Sequence, residues 1–172
     1  MNHPSLTSII HENSIKYGSR NAIYYQGNDK QWIPITWTEL WKSIEDTAKA
    51  LIVSGVKPGD KVAIMSRNMP EWTITDYALQ LVRAVSVPLF SLTSVAQAEY
   101  MVKETECVLF MAGEQDQYDV ASQLIGSVPS LWKIIAFDKS VKFKDGINSG
   151  YFSDFVAEGT RSMIDTELKE LA

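Results

Sequence analysis

Thr36-Trp37-Thr38-Glu39-Leu40-Trp41 opens the stretch that decides the fold. It runs on through Gly55-Val56-Lys57-Pro58-Gly59-Asp60-Lys61-Val62-Ala63-Ile64 and Asn68-Met69-Pro70-Glu71-Trp72, and closes on Val85-Ser86-Val87-Pro88. Thr36 is a helix N-cap, and Glu39 three residues later completes a capping box. Trp37, Leu40, Trp41, Ile44, Ala48, Leu51 and Ile52 then fall on one helical stripe. Gly55 stops that helix, and Pro58-Gly59-Asp60 turns the chain into a strand from Lys61 to Ser66. Asn68 with Pro70 opens a second helix, through about Val82. Val85 to Leu89 reads as a second buried strand.

The same alternation extends in both directions. Upstream, Leu6, Ile9, Ile10 and Tyr17 recur at helical spacing and Gly18 ends the run. A hairpin follows, from Ala22 to Tyr25 and from Gln31 to Ile35, around Gly27-Asn28-Asp29, whose residues tolerate positive φ. Pro34 lacks a ladder donor, which places its strand at an edge or a bulge. Tyr24 and Tyr25 point to opposite faces, so one of them is expected to be exposed. Downstream, Ser94 with Gln97 caps a helix to about Lys103. Cys107–Met111 is a strand, Gln115–Ile125 a helix, and Lys133–Phe137 a strand.

Four apolar strands separated by helices require crossover connections. The fold class is therefore α/β: a mostly parallel sheet with helices on both faces, a Rossmann-like subdomain preceded by a helix and a β-hairpin. Residues 1–138 form this subdomain. In residues 139–172, Asp138 to Gly150 reads as a loop, Tyr151 to Ala157 as a short helix, and Ser162 to Ala172 as a loosely held linker.

Apolar residues make up 45% of the 172 and charged residues 22%, enough for a sizeable core. The net charge of −5 and the lack of a basic cluster argue against nucleic acid as a partner. No apolar run approaches the ~18 residues of a membrane span. The N-terminus lacks a secretory pattern. The single cysteine, Cys107, sits in an apolar run and reads as a buried structural thiol. The compartment these features suit is the cytoplasm; peripheral contact with a membrane stays open.

Motifs that carry chemistry are missing. The sequence has no Gly-x-Gly-x-x-Gly, no Gly-x-x-x-x-Gly-Lys-Ser/Thr and no Gly-x-Ser-x-Gly. Gly55 and Gly59 join a helix to a strand, the opposite direction to a phosphate-cradling turn. His3 and His11 have no neighbours at metal-ligand spacing and read as solvated. Most carboxylates are helix-face charges. Asp76 alone is ambiguous, because its helix is apolar on most sides and a buried carboxylate needs a partner. Trp37, Trp41, Trp72 and Tyr77 recur with core residues, so packing accounts for them.

The four quoted segments, in this order and with these gaps, resemble the opening of adenylate-forming ligases of the AMP-binding superfamily. Val87-Pro88-Leu89-Phe90 followed by Thr93-Ser94-Val95-Ala96-Gln97-Ala98-Glu99-Tyr100 is most similar to the long-chain-fatty-acid–CoA ligases. One departure is Arg83, where such proteins usually place glycine; a left-handed backbone there costs a side chain ~1 kcal/mol or more. The resemblance implies a parent enzyme that uses fatty acid, ATP, magnesium and CoA. The segments implied to bind ATP and supply the catalytic lysine come later in that pattern, so no residue here is assigned a catalytic, cofactor-binding or metal-binding role. The expectation is an inactive N-terminal fragment with the C-terminal part of the same enzyme as its partner. A self-contained nucleotide- or acyl-binding module and a dimerisation module are the alternatives. An apolar face left uncovered would make the chain self-associate as a homodimer or larger assembly.

Overall fold

The computed structural model describes residues 5–27 and 29–161. Helix α1 (Leu6–Tyr17) leads into an antiparallel hairpin of β1 (Asn21–Gln26) and β2 (Trp32–Thr36). The α/β unit then alternates α2 (Trp37–Val53), β3 (Lys61–Met65), α3 (Pro70–Leu81), β4 (Val85–Leu89), α4 (Val95–Glu104), β5 (Leu109–Ala112), α5 (Gln115–Leu124) and β6 (Lys133–Ala136). It closes with β7 (Ser149–Tyr151) and α6 (Phe152–Arg161). Five strands form one sheet in the order β4-β3-β5-β6-β7. Every pairing in it is parallel.

Alternating residues of the central strands feed two separate cores. Val62, Ile64, Leu109, Met111 and Ile135 face the layer that holds α2, α3 and α6. Ala63, Met65, Phe110, Ala112, Ile134 and Ala136 face α4 and α5. In α2 the capping box is formed: Glu39 N–H donates to Thr36 Oγ1 at 3.2 Å, and Thr36 N–H to the Glu39 carboxylate at 2.8 Å. Leu40, Ile44, Ala48 and Leu51 are fully buried, with Trp37, Trp41 and Ile52 packed partly over them. Ser94 and Gln97 form the second capping box, on α4.

Three helices stop in the same way. Val56 N–H bonds Leu51 O, Ala84 N–H bonds Leu79 O and Cys107 N–H bonds Val102 O. Each bond spans a left-handed residue: Gly55 at φ 93°, Arg83 at φ 59° and Glu106 at φ 53°. This stop needs positive φ at the residue before the buried apolar one. Only Gly55 meets that without a side-chain penalty. Arg83 thus adopts the strained geometry in full.

Four sequence expectations need correction. Val85–Leu89 is not a buried strand; it is the sheet's edge, with Val85 48% exposed. The Val85 N–H donates to Asp60 O on the β3 side, so by alternation Ser86 and Pro88 direct their backbone outward. Pro88 therefore removes a donor the sheet does not use, and blunts the free edge. Asn68 does not cap α3: Met69 is the N-cap and makes no side-chain bond, with Pro70 at the first helical position. The span read as a loop to Gly150 contains strand β7 from Ser149, paired parallel with β6. Three residues including a glycine carry too little apolar pattern to reveal a strand. The helix read over Tyr151–Ala157 begins at Phe152 and continues to Arg161. The expectations for His3 and for Ser162–Ala172 lie outside the described residues.

Helix α6 is packed closely on α2. A Cβ added at Gly159 would lie 2.4 Å from the Ala50 nitrogen and 2.5 Å from its Cα. Phe155 on the same helix is 4% exposed. The loop before β7 is stapled by aromatic hydroxyls: Lys144 N–H donates to Tyr118 Oη at 2.9 Å, and Tyr151 Oη donates to Val141 O at 2.9 Å.

Candidate functional site

In open parallel sheets, ligands bind where the strand order reverses, outside the carboxyl ends of the strands. Here that point lies between β3 and β5. The two strand ends approach so closely that a Cβ on Gly113 would stand 2.5 Å from Ser66 Cβ. Gly113 N–H donates to Met65 O at 2.9 Å, and Gly113 O accepts from Asp138 N–H at 3.0 Å. Glycine is required by that approach.

Four charged groups surround this junction. Arg67 Nη2 pairs with Glu114 Oε1 at 2.7 Å, an exposed contact worth under ~1 kcal/mol. Glu71, in the first turn of α3, has a carboxyl held above its usual range. Burial is the main cause, its own backbone N–H acts against the shift, and the Asp138 charge adds to it. Its Oε2 is buried without a hydrogen-bond partner among the described residues, as is Oγ1 of Thr75 one turn later. Asp138 is held low by hydrogen bonds from Ser140 and by Arg67. The start of α5 is closed by its own residues: Gln117 Oε1 accepts from Glu114 N–H at 2.9 Å, and Gln117 Nε2 donates to Ser91 O at 3.0 Å. Carboxylates therefore sit at the start of both helices, where a polyphosphate would otherwise be attracted.

The residues singled out in the sequence lie elsewhere. Asp76 is a hydrogen-bonding group, accepting from Ser86 Oγ and from Gln80 Nε2; its role is to fasten α3 to the edge strand. Cys107 is fully buried, beside Thr105 Oγ1 at 3.1 Å, and burial pushes its thiol up, the reverse of what a nucleophile needs. The exposed His11 ring lies 4.7 Å from that of Trp41. Tyr24 is 57% exposed while Tyr25 is half-buried. Arg67, Glu71, Glu114 and Asp138 were not read as a group from the sequence. Each follows the end of a strand or opens a helix, but only the strand order brings them to one edge. Among the described residues no three His, Cys, Asp or Glu side chains are grouped to hold a metal. No described helix is long and apolar enough to cross a membrane.

The chain is thus a doubly wound parallel sheet in which the ends of β3 and β5 meet at Gly113. Residues 10–151 match the family of AMP-binding enzymes, and the chain belongs to that family. It is 34% identical over 114 residues to the long-chain-fatty-acid–CoA ligase FadD15 of Mycobacterium bovis, covering 66% of this chain and 19% of that protein. It is 32% identical over 105 residues to a carboxylic acid reductase of Mycobacterium tuberculosis, covering 60% of this chain and 9% of that one. The fold superposes on the coronafacic acid ligase of Pectobacterium brasiliense with a TM-score of 0.77 at 20% identity, over 88% of this chain and 29% of that one. The chain thus spans about a fifth of the length of the ligase it matches.

Proposed function

We propose that this chain is the N-terminal α/β segment of a long-chain-fatty-acid–CoA ligase and acts as a scaffold, without activity of its own. In the parent reaction a fatty acid carboxylate attacks the α-phosphate of ATP, giving acyl-adenylate and pyrophosphate. The CoA thiol then attacks the acyl carbon, and AMP leaves. The observation that carries this reading is the match to one-fifth of a ligase by a segment whose sequence holds no glycine-rich phosphate loop. The start of α5 supports it, because Glu114 and Gln117 of the chain itself already occupy that helix end. On this reading ATP, magnesium and CoA are bound by the remainder of the enzyme, which works in the cytoplasm. The segment's part is to hold the carboxyl ends of β3 and β5, at Ser66 and Gly113, in register beneath that machinery.

Acid-dependent ATP–pyrophosphate exchange tests this. The purified chain gives no exchange above background, and a chain extended through its downstream coding sequence gives exchange stimulated by long-chain acids and acyl-CoA when CoA is added. Exchange by the 172-residue chain alone contradicts the scaffold reading. Exchange by the extended chain without acyl-CoA formation replaces CoA as the acceptor, as the match to a reductase would then suggest.

A further inference from the structure

Asp145-Gly146 is the one place in the 172 residues where aspartate or asparagine precedes glycine. Both residues are exposed, in the turn before strand β7. Ile147 N–H donates to Lys144 O at 3.4 Å, a long bond that closes a four-residue turn. Gly146 holds the third position of that turn at φ 76°, the backbone that a type II turn asks of glycine. A Cβ built there would meet nothing within 4 Å, so the space beside it is open. Among the described residues, neither the Asp145 carboxyl nor the Gly146 N–H has a hydrogen bond or ion pair. The other described aspartates outside helices are held. Gln31 N–H donates to Asp29 Oδ1 at 3.1 Å, Lys57 N–H to Asp60 Oδ2 at 2.8 Å and Ser140 N–H to Asp138 Oδ1 at 2.7 Å. Each of those three is followed by a lysine, whose side chain crowds the next amide. Asn148 is held as well, its Nδ2 donating to Trp132 O at 3.0 Å.

We propose that Asp145 is a site of spontaneous isoaspartate formation, and that the product loosens β7. The inference does not rest on the proposed function. The Gly146 nitrogen attacks Cγ of the protonated Asp145 carboxyl. The N–Cγ bond forms, and the amide proton and the carboxyl hydroxyl leave together as water. Water then opens the five-membered imide. Cleavage at Cγ restores aspartate. Cleavage at the former peptide carbonyl leaves the chain running through Cβ and Cγ and frees that carbonyl as an α-carboxylate. Nothing is oxidised or reduced, and the mass returns to its starting value. The route needs an unbonded amide nitrogen and a following residue without a side chain, and the turn supplies both. Positive φ keeps glycine in place, so the turn itself preserves the reactive pair. The product lengthens the main chain by one methylene, about 1.5 Å. Both flanks are fixed: Lys144 N–H donates to Tyr118 Oη at 2.9 Å, and Ile134 N–H donates to Asn148 O at 3.0 Å. The extra length therefore falls on the long turn bond and on the three residues of β7 at the sheet's edge.

Ageing the full chain for several weeks in warm neutral buffer tests the proposal. Electron-transfer fragmentation separates isoaspartate from aspartate at each position. Methyl transfer from radiolabelled S-adenosylmethionine by an isoaspartyl methyltransferase counts the α-carboxylates released. The variant Asp145→Glu keeps the charge but must close a slower six-membered ring; the position is exposed, and an unchanged thermal midpoint verifies folding. The expected result is isoaspartate at position 145 several-fold above that at any other Asp or Asn, with most of the methyl label lost in Asp145→Glu. Amide exchange at Ser149, Gly150 and Tyr151 is expected to be faster in the aged chain than in the fresh chain or in aged Asp145→Glu. Aspartate persisting at position 145 in the folded chain overturns the proposal; isomerisation of the free peptide Lys142–Asn148 alongside it would show that the fold protects the pair. Methyl label undiminished in Asp145→Glu overturns it as well. Unaltered exchange at β7 in the isomerised chain overturns the structural consequence.

Discussion

Replacing Gly159 with alanine separates two opposing effects whose magnitudes are known. In an exposed helix interior the change stabilises by about 1 kcal/mol, because glycine loses more backbone freedom on folding. In α6 the new methyl would lie 2.4 Å from the Ala50 nitrogen, 2.5 Å from its Cα and 2.7 Å from its Cβ. Two of those atoms belong to the backbone of α2, so no rotamer change relieves the clash. The helices must move apart, disturbing Phe155 and Ala50, which are 4% and 2% exposed. Overpacking of this kind costs about 1–3 kcal/mol and here can reach the upper end. The net expectation is a loss of about 1–2 kcal/mol. With an m-value of roughly 2 kcal/mol/M in urea, the midpoint falls by about 0.5–1 M. Urea unfolding followed by far-UV circular dichroism reads this directly. A midpoint unchanged or raised would refute the close packing of α6 on α2, since propensity alone predicts a rise.

Ile44→Ala and Leu51→Ala each remove a fully buried side chain from α2, and each should lower stability by ~2–5 kcal/mol in the same assay; a midpoint left in place by both shows that the stripe is not core. Arg83→Gly relieves a left-handed residue at φ 59° and should raise stability by up to ~1 kcal/mol, with a loss counting against the strain argument. Glu71 binds its proton more tightly folded than unfolded, so its carboxyl favours folding fully below the ordinary glutamate value and loses that contribution as pH rises through the higher folded value. Glu71→Gln should therefore be more stable than the parent chain near pH 7, with the advantage vanishing in acid near pH 4; an advantage that grows in acid contradicts the sign.

Much of the fold was legible because several local signals agree along α2 and β3. The capping box of Thr36 and Glu39, the stripe through Leu40, Ile44 and Leu51, and the stop at Gly55 all specify one helix in one place. The order of strands was not legible, since nothing local records that β3 lies between β4 and β5. That is why β4 read as buried: Val85-Ser86-Val87-Pro88-Leu89 has the composition of a core strand, and only Pro88 betrays an edge. Glu106 left no signal for its positive φ, because the backbone there is set by the bond from Cys107 to Val102 and not by the residue itself. The switch-point residues were hidden for the same reason as the strand order. Arg67 and Glu114 are 47 positions apart, and they meet because β3 and β5 are neighbours. Asp76 could be flagged from the apolar sides of its helix, but its partner, Ser86, required the strand to be placed beside α3.

As proposed above, this α/β unit supports adenylate chemistry without itself holding the nucleotide. A titration of the isotopically labelled chain with magnesium–ATP, followed by amide chemical shifts, tests it most directly. No saturable shift is expected up to millimolar nucleotide at Ser66, Arg67, Gly113, Glu114 or Asp138. Saturable shifts clustered at those residues, with a dissociation constant in the micromolar range, would contradict it.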